Sequence, residues 1–106
     1  MTREPVTWVK MEEFMAILQP LTHEQAGALG TLMAHYEADG YLPGSVASLR
    51  RLTRCRSVRQ WSRIWPAIRE HFERNGRLFR IPMMDRWLQE FTAEEPDKAR
   101  EGRDYQ

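Results

Sequence analysis

A single cysteine, Cys55, excludes any disulfide within the chain and suits a reducing compartment. No apolar run approaches the ~20 residues that a membrane-spanning helix needs. Met1-Thr2-Arg3-Glu4-Pro5 is not followed by an apolar stretch, which argues against a secretory signal. A cytoplasmic location is the expectation. A glycine-rich phosphate loop, a nucleophile elbow and a paired-carboxylate motif are also missing, so an enzyme is not expected. Glu12-Glu13 and Glu94-Glu95 read as solvated charges. His23, His35 and His71 are scattered and lack metal-ligand spacing with Cys55, so neither a metal nor a cofactor is expected. Cys55 lies between Arg54 and Arg56, which would favour its thiolate, but no base partner is evident. A small residue in a turn is the simpler reading.

Lysine is also scarce, and this shapes the charge. Between Arg50 and Arg80 every basic residue is arginine. Ten arginines stand there against only Glu70 and Glu73, a net of +8, while the remainder of the chain nets −7. The overall charge of +1 therefore conceals a polarised surface. Arginine makes planar, bidentate contacts with phosphate and guanine that lysine cannot make. The 106 residues, 42% of them hydrophobic, suffice for one modest core. One domain is expected over residues 1–91, followed by a charged, disordered tail over residues 92–106.

Val6-Thr7-Trp8-Val9 is β-prone and is expected as an edge strand. Lys10 to Leu18 reads as a helix with Met11, Phe14, Met15 and Leu18 on one side, stopped by Pro20. Thr22-His23-Glu24-Gln25 is a capping box, and Ala26, Leu29, Leu32, Met33 and Tyr36 follow at helical spacing. Gly27 and Gly30 imply close packing against a neighbour, and Asp39-Gly40 supplies the stop. Tyr41-Leu42-Pro43-Gly44 reads as a bridge. Ser45 caps a short helix carrying Val46, Leu49 and Leu52, and a break follows around residues 53–56. Ser57-Val58-Arg59-Gln60 is a second capping box, opening a helix to His71 with an apolar stripe of Trp61, Ile64, Trp65, Ile68 and Phe72. Pro66 implies either a kink or two short helices. Asn75-Gly76 predicts a hairpin over residues 70–81, with Arg74 facing Arg77 and Phe72 facing Phe79. Pro82 opens a last helix with Met84, Trp87, Leu88 and Phe91 on one face, buried in the core or in a homodimer. Met83-Met84 and Trp87 read as core.

Two short helices around a tight break, followed directly by a hairpin, give a mainly α fold of winged helix-turn-helix type. The second helix of such a pair enters the major groove of DNA. With the tryptophans and isoleucines turned inward, Arg59 and Arg63 point outward, and Arg56, Gln60 and Ser62 flank them. These side chains suit base edges and phosphates. Arg74, Arg77 and Arg80 on the hairpin complete the candidate duplex-DNA contact set. Two like charges across a ribbon repel unless an anion lies between them. A protein-interaction adaptor with the same fold is the competing reading.

Three stretches resemble the YdaU-like phage and prophage proteins, a domain family of unknown function. They are Leu21-Thr22-His23-Glu24-Gln25-Ala26-Gly27-Ala28, Leu32-Met33-Ala34-His35-Tyr36 and Gly40-Tyr41-Leu42-Pro43. Trp61, Trp65-Pro66, Phe72, Gly76 and the segment from Arg86 to Leu88 fit the same pattern, so the resemblance spans roughly residues 13 to 91. It implies a winged helix acting in phage DNA replication or its regulation, with replication proteins as partners. It supplies no catalytic residues. Glu13-Phe14 stands where the family has an Asp-aromatic pair, and Ile17 departs from a second acidic position. No long extension that could recruit a helicase loader follows, which sets the expectation short of a full initiator.

Overall fold

The first helix, α1 (Met11–Leu18), begins after Lys10 and ends just before Pro20 in the computed structural model, which describes residues 9–94. Phe14, Ile17 and Leu18 form its inward stripe at i, i+3 and i+4 spacing. Met11 and Met15 were expected on that side, but both are 58% exposed. They lie around the helix from the stripe, and Ile17 takes their place. Val9 is a bend, and the rest of the expected N-terminal strand lies outside the described residues.

Helix α2 (His23–Asp39) starts at the full Thr22 capping box. The Gln25 amide donates to Thr22 Oγ1 at 3.1 Å, and the Thr22 amide donates to Gln25 Oε1 at 2.9 Å. It ends at Gly40, whose φ of 82° is the left-handed cap that glycine adopts without steric cost. Leu29, Leu32, Met33 and Tyr36 are buried along it. The expected reason for Gly27 and Gly30 fails, because a Cβ at either position would meet nothing within 4 Å.

Residues 41–44, read as a bridge, contain strand β1 (Leu42–Pro43). Helix α3 (Val46–Leu52) follows, capped by Ser45, and then α4 (Val58–Ile68), capped by Ser57. The α4 helix passes through Pro66 in one piece and tightens into a 3₁₀ turn at Arg69–His71. Pro66 therefore neither divides the helix nor opens a second one. The carbonyl deprived of a partner belongs to Ser62, and both residues are exposed, so water can replace the lost bond.

Strands β2 (Glu73–Asn75) and β3 (Leu78–Arg80) form the hairpin, shorter than the expected span. The sheet order is β1-β3-β2, antiparallel throughout, with Leu42 opposite Phe79 and Arg74 opposite Phe79 on the other side. Asn75 pairs with Leu78, so the two loop residues are Gly76 and Arg77, one position later than expected. Gly76 has φ 67°, while Asn75 and Arg77 do not have positive φ. A positive φ at the first loop position alone matches a II′ turn rather than the I′ turn that Asn-Gly suggested. This register keeps Phe79 on the buried face.

Helix α5 (Pro82–Glu94) closes the structure. Residues 92–94 are still helical, so the expected tail does not begin at 92, and residues 95–106 lie outside the described residues. Met84 and Trp87 belong to the core, whereas Leu88 is 49% exposed and Phe91 is half-buried. The four side chains therefore do not form one open dimer face. Glu13, read as a solvated charge, accepts from the indole N–H of the fully buried Trp87 at 2.9 Å and pairs with Arg86. Those hydrogen bonds, from Arg86 first and then Trp87, hold its carboxyl below the usual range. Phe14 meets the Trp87 ring edge-on at 6.2 Å. One apolar cluster joins all five helices to the sheet. The result is a mainly helical winged helix-turn-helix fold, with α3 and α4 as the helix pair and β2–β3 as the wing.

Two glycines should behave oppositely in thermal unfolding. Gly30→Ala should stabilise the domain by up to about 1 kcal/mol, because a helix gains propensity and nothing is displaced. Gly44→Ala should destabilise it by at least about 1–3 kcal/mol, because the new Cβ would lie 2.1 Å from the Arg77 carbonyl oxygen in the wing loop.

Candidate nucleic-acid interface

The α3–α4 turn is a Schellman closure. The Arg54 amide donates to the Arg51 carbonyl at 3.0 Å, and the Cys55 amide donates to the Arg50 carbonyl at 3.3 Å. The closure needs a left-handed residue at Arg54, whose φ is 63°. Such a conformation costs a non-glycine residue roughly 1–2 kcal/mol. The Arg50 guanidinium braces the same turn by donating to the Cys55 and Arg56 carbonyls at 3.3 and 3.4 Å. Cys55 is half-buried there, and its thiol donates toward the Ser57 carbonyl and Gln60 Oε1, both at 3.4 Å.

Ser57 Oγ accepts from the Gln60 amide at 3.1 Å, but the reciprocal half of the second capping box is absent. The Gln60 side chain turns to α2 instead, where its amide donates to Glu24. Gln60 was expected to face a base edge. Its commitment to Glu24 makes it a brace between α2 and α4.

Arg59 and Arg63 are both exposed on the outward side of α4, as expected, and Ser62 lies beside them with its hydroxyl donating to the Arg59 carbonyl at 2.6 Å. Arg63 also reaches Glu24 at 3.7 Å, and its carbonyl accepts from Gln25. The first turn of α4 contains no acid and carries Arg59 instead. A cation there opposes the helix dipole by about 0.3–1 kcal/mol. Arg56 is exposed just before the cap.

The wing is fixed to α4 by aromatic rings. Trp65 stacks on Trp61 at 5.7 Å, and meets Phe72 at 5.3 Å and Phe79 at 6.0 Å. Phe72 and Phe79 touch edge-on at 6.5 Å, although they are not cross-strand partners. Arg74 and Arg77 are exposed near the wing tip, with Arg74 Nε donating to the Gly76 carbonyl at 3.5 Å. They do not oppose each other, since Arg74 faces Phe79, so the expected repulsion across the ribbon is not the reason for an anionic partner.

Arg80 does not project outward either. Its Nε and Nη2 donate to Asp85 Oδ2 at 3.3 and 3.2 Å, and its Cζ lies 5.7 Å from the Tyr36 ring centre. Tyr36 donates to the other Asp85 oxygen at 2.6 Å. Arg80 is thus a latch from β3 to α2 and α5, removed from the expected contact set by its partners. What remains outward is Arg51, Arg54, Arg56, Arg59, Arg69, Arg74 and Arg77, none of which forms an ion pair among the described residues. Arg51, Arg54 and Arg69 lay in the basic block of the sequence but outside the expected contact set, and nothing in the composition of residues 53–56 marks the left-handed closure that Arg54 makes.

No family model, curated protein or solved structure matches the chain, so the geometry of this face carries the functional argument. Among the described residues no helix is long and apolar enough to cross a membrane.

The latch yields a pH prediction. Burial, and then the Asp85 hydrogen bond, push the Tyr36 hydroxyl up to about 12. A folded-state pKa above the unfolded value favours the neutral form in the fold. Its contribution is complete below about pH 10 and is lost as pH rises toward about 12. Tyr36→Phe should cost about 0.5–1.5 kcal/mol at neutral pH. In denaturant titrations the gap between parent and variant should narrow over that alkaline interval. A constant gap would show that the hydroxyl does not titrate against the fold.

Proposed function

We propose that this protein is a non-enzymatic winged-helix protein that binds duplex DNA, acting in the cytoplasm in phage DNA replication or its regulation. The observation that carries the reading is the set of outward arginines on the turn, α4 and the wing, left without acidic partners among the described residues. Exposed cations concentrated in one stretch of the chain and left unpaired favour a polyanion, which gains contacts while releasing its own counterions. Arg59 and Ser62 stand where a groove-entering helix meets base edges, and Arg74 and Arg77 stand where a wing tip meets phosphates. Arg63 joins them by exchanging Glu24 for a phosphate. The resemblance to YdaU-like proteins supports the phage setting.

A second reading, an adaptor for replication or host proteins, is favoured by one feature. Met11, Met15, Ala16 and Leu18 line an open depression of about 590 Å³ on α1, well away from the basic face in sequence.

A salt series of duplex binding separates the two readings. Arg59→Ala should cost about 1–3 kcal/mol, mainly on a preferred sequence. Arg74→Ala and Arg77→Ala should weaken binding to all duplexes alike, each flattening the logarithmic salt slope by about one unit. Trp61→Ala is the control: it should lose roughly 3–5 kcal/mol of stability and leave the affinity of the folded fraction unchanged. No duplex binding at low salt, or parental binding by all three arginine variants, would hand the function to the adaptor reading.

A further inference from the structure

We propose that Arg54 is a phosphate-contacting residue, held in the left-handed conformation so that its guanidinium meets the backbone of duplex DNA at the α3–α4 turn. The inference rests on the DNA-binding reading and adds to it a residue outside α4 and the wing.

Three observations converge. Arg54 is the only non-glycine with positive φ among the described residues. The α2 cap and the wing loop need the same backbone region, and there the chain uses Gly40 and Gly76. Glycine would close α3 more cheaply, so the fold alone does not account for an arginine at this position. Second, the Arg54 side chain makes no hydrogen bond or ion pair among the described residues, and the residue is exposed. The braces of the turn come from Arg50, and the nearby Glu24 carboxylate is already engaged by Gln60 and Arg63. Third, Arg51, Arg56 and Arg59 surround it in sequence without ion pairs of their own, and Arg54 edges a cleft of about 290 Å³ that also borders the start of α2. A backbone phosphate seated at this turn would meet charge from residues on both sides of the break. Strain retained at a position that serves no internal contact is the pattern of a functional residue.

The experiment compares the full chain with Arg54→Gly and Arg54→Lys by thermal melting and by fluorescence anisotropy on a labelled duplex of mixed sequence, across a salt series. Arg54→Gly should melt higher, by about 4 °C or more, because the strain is relieved. It should also bind about three- to tenfold more weakly near physiological salt, with a slope shallower by about one unit. Arg54→Lys should melt like the parent and keep most of the salt slope. If the parent binds and Arg54→Gly binds with unchanged affinity and slope, Arg54 is only a helix cap, and the DNA reading stands on the other arginines. If Arg54→Gly melts lower than the parent, the side chain serves the fold and the proposal is overturned. If the parent binds no duplex, the DNA reading falls and this inference falls with it.

Discussion

The direction in which the wing points relative to α4 depends on Trp65. Its ring is stacked on Trp61 from the same helix and held by Phe72 and Phe79 from the exit turn and the central strand. Aliphatic contacts would hold these elements together but would leave their angle loosely defined. Aromatic pairs add a geometric preference, each contributing about 0.5–1.5 kcal/mol beyond burial. The junction tolerates one loss, since Trp61 Nε1 is buried without an acceptor. From the other side β1 pairs with β3, and Gly44 lets the chain pass against the Arg77 backbone. Arg59 on the helix and Arg77 on the wing therefore belong to one packed assembly rather than to a helix and a free arm.

The arginines divide into two groups by what they touch. Arg50 holds turn carbonyls, Arg80 holds Asp85, and Arg86 holds Glu13 and Glu90. These stabilise the fold, and each connects elements or turns that apolar contacts alone would leave loosely joined. The others are exposed and form no ion pair among the described residues, so nothing within the fold offsets their charge. Arg63 stands between the groups, because its exposed pairing with Glu24 is the kind of surface bridge that contributes little and exchanges readily. A sequence count treats all of these residues as equivalent, and only their partners separate them.

The helices were legible because their signals are local. Thr22, Ser45 and Ser57 cap the helices they were expected to cap, and Gly40 ends α2. The Trp61, Ile64 and Ile68 stripe faces the core. What escaped was set by tertiary contacts. Leu42 and Pro43 become a strand only because β3 lies beside them, and two residues carry no periodicity to read. The wing register follows the need to bury Phe79, not the Asn-Gly pair. Gln60 and Arg80 look like contact residues in a one-dimensional pattern, and only Glu24 and Asp85, distant or on another element, show that they are occupied. Glu13 was taken for a solvated charge because its partner, Trp87, lies 74 positions away.

Local rules of helix construction are kept at many positions and broken at a few, among them Gly30 in α2, Pro66 in α4 and the α3–α4 turn. Thr22, Ser45 and Ser57 cap with hydroxyls, Gly40 and Gly76 take left-handed positions, and buried Trp87 has its acceptor. At the α3–α4 turn an arginine occupies the left-handed position, and another arginine opposes the dipole at the start of α4. Gly27, which weakens α2 without any packing need, borders the same cleft. Each departure lowers stability by a modest amount. Arg54 and Arg59 are also two of the arginines that form no ion pair among the described residues. Under the DNA reading, an anion at the turn would interact favourably with the dipole of α4 and with both arginines, turning the losses at Arg54 and Arg59 into contacts of one bound state.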